Sequence, residues 1–151
     1  METWESVERD FEAYRELINN STEFKYLGRL LTAGDDDWME LVGNLGKAQR
    51  SWGRLSRVLG QEGADPKVSR MLYTAVAQAV LLFGAKTWVL TPRMEKALDS
   101  FQSRVARKTT GRQSRQSKDG IWVYPPLAGA RKEAGMVGIR TSITRRQNTV
   151  K

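Results

Sequence analysis

The chain has 151 residues, of which 40% are hydrophobic and 28% charged, enough apolar material for one compact domain and too much for wholesale disorder. It contains no cysteine and no histidine, which excludes disulfides, zinc fingers and catalytic triads built on either residue. The net charge of +8 is unevenly placed: residues 1–40 have four basic and eleven acidic residues, whereas the remainder has 21 basic and six acidic ones.

The basic remainder, residues 41–151, predicts a polyanionic partner, because each Lys or Arg that neutralises a phosphate releases condensed counterions. A merely soluble basic surface is the alternative at this point. The longest uncharged run, residues 71–85, has 15 residues, fewer than the roughly 18 that would suggest a membrane span. The acidic N-terminus does not have the pattern of a signal peptide. We therefore expect an intracellular protein without a membrane partner.

The first predicted element is a short β-hairpin within residues 1–34. Residues 2–17 are acidic and could form a helix or a first strand. Asn19, Asn20 and Ser21 favour a turn, and residues 24–31 begin with aromatic residues alternating with polar ones, which is typical of a strand. The predicted hairpin pairs the two segments around that turn.

Residues 35–111 are predicted to form a bundle of three helices. Aspartates 35–37 open the first helix, since an aspartate at a helix start accepts free backbone N–H groups. Apolar residues then recur at steps of three and four along one face, and Gly60 ends the helix. The same steps on the opposite face predict an exposed row of cations: Lys47, Arg50, Arg54 and Arg57.

The second and third helices have clear start signals. Asp65 followed by Pro66 starts the second, and residues 71–83 are apolar nearly all round, which predicts a buried central helix. Thr91 followed by Pro92 starts the third helix, which has an apolar stripe on one side. The cations expected outside that stripe include Arg104, Arg107 and Lys108.

Residues 112–151 are predicted to be a basic linker followed by short helices. Residues 109–120 lack apolar periodicity, so they are interpreted as a linker. Trp122 and Tyr124, which follow it, are candidates for stacking on nucleic-acid bases, with simple packing as the alternative. The predicted fold class is therefore mainly α: a short N-terminal β-hairpin, a three-helix bundle, and a basic tail with short helices.

Aspartates 35–37 are the most tempting catalytic residues, because adjacent carboxylates can hold Mg²⁺ in two-metal enzymes. A metal pair also needs a carboxylate from another element, so helix capping is the simpler interpretation. No glycine-rich phosphate loop is present in the sequence. We predict no catalytic residue, no metal site and no cofactor.

Several motifs resemble, in their order, the region that follows the palm in non-LTR retrotransposon reverse transcriptases. FKYLG at 24–28 resembles the primer-grip hairpin, and AVLLFGAKTW at 79–88 resembles the thumb helix, with Lys86 where that family usually has Glu. Residues 101–111 resemble the next helix and its end, and residues 122–126 and 145–150 resemble downstream segments. The order of these motifs along residues 24–150 carries the resemblance.

The resemblance implies a thumb-like domain that holds a primer–template duplex, whether RNA, DNA or hybrid, through its phosphates. It also implies that Tyr26, Leu27 and Gly28 lie near the primer terminus. The candidate backbone contacts are Lys47, Arg50, Arg54, Arg57, Arg104, Arg107 and Lys108.

The family's catalytic aspartates lie upstream of the primer grip, and its motifs for them are not among the 23 residues before Phe24. The resemblance therefore implies a fragment without polymerase activity, whose further partner is a missing palm domain or a second copy of the chain. Other hypotheses remain open: a basic helical module that binds a protein, a non-functional relic, or a full reverse transcriptase whose palm precedes Met1.

Overall fold

In this computed structural model, residues 11–13, 16–18, 21, 23–26, 29–32, 37–112 and 114–149 are described. The chain divides into two compact units, residues 1–36 and residues 37–151. Short strands are found in the first unit, whereas helices dominate the second. The predicted mainly α class is therefore confirmed.

The first unit contains two small antiparallel hairpins, in which β1 pairs with β2 and β3 pairs with β4. The predicted single hairpin around residues 19–21 was therefore wrong, because each strand pairs with its neighbour in sequence. The sequence of the segment 24–31 contains a glycine at position 28, and a glycine inside a strand pattern favours a turn over a continuous strand. The strands are Phe11–Ala13 (β1), Glu16–Ile18 (β2), Glu23–Tyr26 (β3) and Arg29–Thr32 (β4).

The second unit begins with the long helix α1, Asp37–Gln61, which confirms the predicted first helix. The next helix also starts where expected: the Lys67 N–H donates to Asp65 Oδ1 at 2.7 Å, and α2 spans Pro66–Leu72. It continues through a π-helical turn, Tyr73–Gln78, into α3, Ala79–Leu81. A 3₁₀ turn, Ala85–Thr87, then follows.

This second helical segment is buried on one side. Tyr73, Ala77 and Leu81 belong to the core, but Met71 is 58% exposed and Phe83 is 51% exposed. The prediction of a helix buried all round was therefore wrong. The helices packed against this segment cover part of its circumference, and apolar composition alone does not tell which side faces solvent.

Three polar residues of α1, spaced three and four apart on one face, hold the end of α3 and the chain that follows it. The Asp37 carboxylate accepts a hydrogen bond from the Val89 N–H at 2.9 Å. Asn44 Nδ2 donates to the Phe83 carbonyl at 2.9 Å. Between them, the buried Glu40 side chain lies so close to Gly84 that a Cβ there would collide with its carboxylate. These contacts fix the turn after α3 against α1.

The third long helix, α4, spans Pro92–Thr109 and is capped by Thr91, whose Oγ1 accepts from the Met94 N–H at 3.3 Å. Helices α1 and α4 run in the same direction. Near their starts, the Arg93 guanidinium lies 3.8 Å from the centre of the Trp38 ring. The predicted apolar stripe of α4 is confirmed as core: Met94, Leu98, Phe101 and Val105.

The segment predicted as a linker contains half of a third hairpin. Strand β5, Arg115–Gln116, pairs antiparallel with β6, Trp122–Val123. The connection includes Gly120 at φ 77°, a conformation that favours glycine, and the Gly120 N–H donates to the Ser117 carbonyl at 2.9 Å. A linker throughout residues 109–120 was therefore wrong.

The two predicted short helices are present, as α5, Leu127–Ala134, and α6, Ile139–Asn148. They pack on the bundle, and Ile139 and Ile143 are part of its core. The buried Gln102 of α4 joins their connection, because its Nε2 donates to the Val137 carbonyl at 2.8 Å and its Oε1 accepts from the Ile139 N–H at 3.1 Å. Residues 127–149 are thus part of the folded unit.

Candidate nucleic-acid interface

The predicted cation row of α1 is exposed along its whole length, and none of its members forms an ion pair within the described part of the chain. At about 100° per residue, the four cations lie within an arc of roughly 80° on one side of the helix. Arg50 and Arg57 are roughly 40–60° from Gly53 around the helix, and Lys47 and Arg54 are roughly 100–120° from it in the same direction. Arg50 and Arg57 are therefore the members of the row nearer to Gly53.

Two adjoining cavities follow the line where α1 and α4 pack together, and we call them the α1–α4 groove. The first has a volume of about 240 Å³ and the second about 170 Å³, and they share Trp52, Ser56 and Lys108. Gly53 and Arg104 line the first cavity; Gly60 and Thr109 line the second. The groove therefore runs along the second half of both helices.

The α1 wall of this groove has little side-chain cover. Gly53 and Gly60 are two helical turns apart on the same side, and a Cβ built at either would have no neighbour within 4 Å. Without side chains, the helix backbone there is open to close approach by a ligand.

The α4 wall is cationic. Arg104 and Lys108, one turn apart, are both exposed, and none of the described residues that line the groove is acidic. Trp52 Nε1 and Thr109 Oγ1 are buried donors without a hydrogen-bond partner in the described part of the chain. Cations and neutral donors along one trough suit the acceptor oxygens of phosphates.

Arg93 was not among the predicted site residues, but it is exposed and lies on the same side of α4 as Arg104 and Lys108. Its guanidinium stacks on Trp38, which packs partly buried against the core. The three cations are eleven and four residues apart, spacings that return to one side of an α-helix, so the sequence alone could have grouped them. Arg107 is half-buried and is not among the residues that line the groove.

None of the remaining predicted residues is among those that line the groove. Tyr26 is exposed and its ring stacks on Phe24 at 6.5 Å, while Leu27 and Gly28 lie outside the described residues. Trp122, in β6, and Tyr124, the candidates for base stacking, are exposed.

Of the three aspartates considered as metal ligands, Asp37 accepts a hydrogen bond from the Val89 N–H. Asp35 and Asp36 lie outside the described residues. Within the described ranges, no group of three or more acidic side chains is placed to hold a metal ion. Among the helices of those same ranges, none has the length and apolarity needed to cross a membrane.

Comparison of the chain with known protein families, with curated proteins and with solved structures finds no match. The α1–α4 groove brings cations, unpartnered donors and accessible backbone together.

Proposed function

We propose that this chain binds the phosphate backbone of a nucleic-acid duplex along the α1–α4 groove. The observation that carries the proposal is the position of Arg104 and Lys108 beside the uncovered α1 backbone at Gly53 and Gly60. A duplex lying in this trough places phosphates next to these two cations, and we propose Arg50 and Arg57, the exposed α1 cations nearest Gly53, as further phosphate contacts. Such contacts hold a duplex without reading its sequence.

The same proposal identifies the chain as a thumb-like fragment of a non-LTR reverse transcriptase, without polymerase activity of its own. The order of motifs in residues 24–150 supports this identification, and so does a basic helical unit in the place of a thumb. Holding a duplex through phosphates requires charge and shape, and it requires no chemistry from these residues.

The test is a salt titration of duplex and hybrid binding by the full chain. If three or four phosphates are neutralised, the slope of log K against log salt is about −3 to −4. The groove variant changes four cations to Gln: Arg50, Arg57, Arg104 and Lys108. We expect each change to flatten the slope by about one unit and to weaken all sequences alike.

The matched control removes the same charge from exposed lysines away from the groove: Lys86, Lys96, Lys118 and Lys132. It should keep the slope of the unmodified protein, apart from a small general loss of affinity. Thermal melts of all three proteins test whether the fold is retained, since surface substitutions usually cost within ~0.5 kcal/mol. Equal slopes for the groove variant and the control would contradict the proposal.

A module that binds a protein is the second candidate, because apolar side chains of the second helical segment are exposed. Val68, Met71 and Val76 are each more than 40% exposed. Association through such a surface would change little between low and high salt. A chain that bound no duplex but formed a salt-insensitive complex with a protein would favour this candidate.

A further inference from the structure

A separate cavity of about 200 Å³ lies beside the second helical segment. Its lining comes from α2, the π-helical turn, α4, the α5–α6 connection and α6. None of the residues that line the α1–α4 groove lines this cavity. A ligand here would therefore be independent of the proposed duplex contact.

Buried donors without partners line this cavity. Tyr73 is 1% exposed, and its hydroxyl has no hydrogen-bond partner in the described part of the chain. The same is true of the buried Nε of Arg70. Arg70 packs against Gly135, where a Cβ would lie 3.6 Å from that Nε, an ordinary van der Waals contact. Unpartnered buried donors cost stability unless a ligand or water satisfies them.

The charge around the cavity is positive. Arg70 and Arg145 both line it, none of its described lining residues is acidic, and neither arginine forms an ion pair within the described ranges. Burial raises the pKa of Tyr73 above its ordinary value, and the nearby charge of Arg131 offsets this only in part. At neutral pH the Tyr73 hydroxyl is therefore a neutral donor.

The π-helical turn gives the cavity its wall. Tyr73, Thr74 and Gln78 all belong to that turn and all line the cavity. A π turn widens the helix by one residue, which redirects side chains, and such turns are frequent at functional sites. The local departure from α-helix thus coincides with the unpartnered hydroxyl.

We propose that this cavity is a binding site for a phosphate group, held by Arg70, Tyr73 and Arg145. The hydroxyls of Thr74 and Ser142 also line the cavity, and the Ser142 hydroxyl donates to the Gly138 carbonyl at 3.5 Å. Donors converging from several elements suit a tetrahedral group with three or four acceptor oxygens better than a planar carboxylate. Arginine forks are suited to phosphate oxygens. The phosphate could be free or could terminate a nucleic-acid strand.

The experiment measures binding by calorimetry for the full chain, with inorganic phosphate and, separately, with acetate at equal ionic strength. Tyr73→Phe removes the hydroxyl donor and keeps the aromatic ring that packs in the core, so the variant should fold as well as the unmodified protein. Arg145→Gln removes an exposed charge, and Arg140→Gln is its matched control on the same helix, outside the cavity lining. A second arm compares single strands that carry a 5′-phosphate with strands that carry a 5′-hydroxyl.

We expect inorganic phosphate to bind, acetate to bind much more weakly, and Tyr73→Phe and Arg145→Gln each to weaken phosphate binding by about tenfold or more. Arg140→Gln should bind as the unmodified protein does. A preference for 5′-phosphorylated strands that both variants lose assigns the phosphate to a strand end; its absence assigns the site to free phosphate. No binding of inorganic phosphate, equal binding of acetate, or equal affinities in all four proteins would overturn the site and indicate a water-filled cavity.

Discussion

Two features of Gly84 exclude a Cβ at this position. Its φ of 81° is strained for any residue with a Cβ, and that Cβ would also meet the buried carboxylate of Glu40. We expect Gly84→Ala to lower the free energy of unfolding by about 2–4 kcal/mol, measured by urea denaturation. Strain alone accounts for part of this, and the collision for the rest.

Gly63 separates the two constraints, since its φ is 61° and a Cβ there would meet nothing within 4 Å. Gly63→Ala should therefore cost about 1–2 kcal/mol, the strain alone. If both variants lost the same stability, the packing of Glu40 on Gly84 would contribute nothing, and the contact between α1 and the turn after α3 would need another explanation.

Two glycines of α1 allow an effect on duplex binding in the groove to be distinguished from an effect on helix stability. Gly53→Gln and Gly43→Gln both replace an exposed helical glycine with a good helix former, and neither position has a neighbour within 4 Å of its Cβ. Both variants should gain about 0.5–1 kcal/mol of stability. The side chain at 53 enters the α1–α4 groove, whereas the one at 43 lies roughly 80° away around the helix.

We therefore expect Gly53→Gln to weaken duplex binding several-fold in a titration at fixed salt, while Gly43→Gln leaves it unchanged. Charge is the same in both variants, so counterion release does not separate them. Equal binding by the two variants would mean that the duplex does not enter the groove, even if the surrounding cations attract it.

The elements that sequence predicted well are those whose signals are local. Thr91 with Pro92, and Asp65 with Pro66, set two helix starts, and the spacing of apolar residues in α4 identified its buried face. The π turn was missed because one extra residue per turn leaves no mark on composition. The β5–β6 hairpin was missed because its first strand is polar, although Asp119-Gly120 was a turn signal.

The candidate site was harder to predict than the fold, since it depends on how helices meet. Periodicity identified the exposed side of α1, but it did not reveal the groove that Gly53 and Gly60 line beside α4. Nor did it show that Asp37 binds the chain at Val89, 52 residues away. Facts of this kind follow from tertiary packing, which a single helix does not encode.

In the whole molecule, acidic and basic residues are concentrated in different parts of the chain, and these parts correspond approximately to the two units. Most acidic residues lie within residues 1–40, whereas the cations that line the groove belong to the second unit. Acidic side chains near a phosphate backbone weaken binding through like-charge repulsion. The proposed duplex contact is accordingly assigned to residues 37–151, where the excess positive charge resides.

The last prediction concerns catalysis by the whole chain. Purified protein supplied with a primer, a template, deoxynucleoside triphosphates and Mg²⁺ should bind the duplex but not extend the primer. The reason is that the resemblance to reverse transcriptases begins at residue 24, after the point where that family has its catalytic aspartates. Asp37, the described member of the acidic run, is occupied with the Val89 N–H.

Gel analysis of the primer measures extension, and a known reverse transcriptase added to the same mixture shows that the substrates are competent. Asp37→Asn is the informative variant, because it removes the charge that a metal would need and keeps an oxygen to accept from Val89. Extension by the unmodified chain that disappears in Asp37→Asn, with the melting temperature preserved, would make this aspartate catalytic. That result would mean that the chain is an enzyme and not a fragment that only holds a duplex.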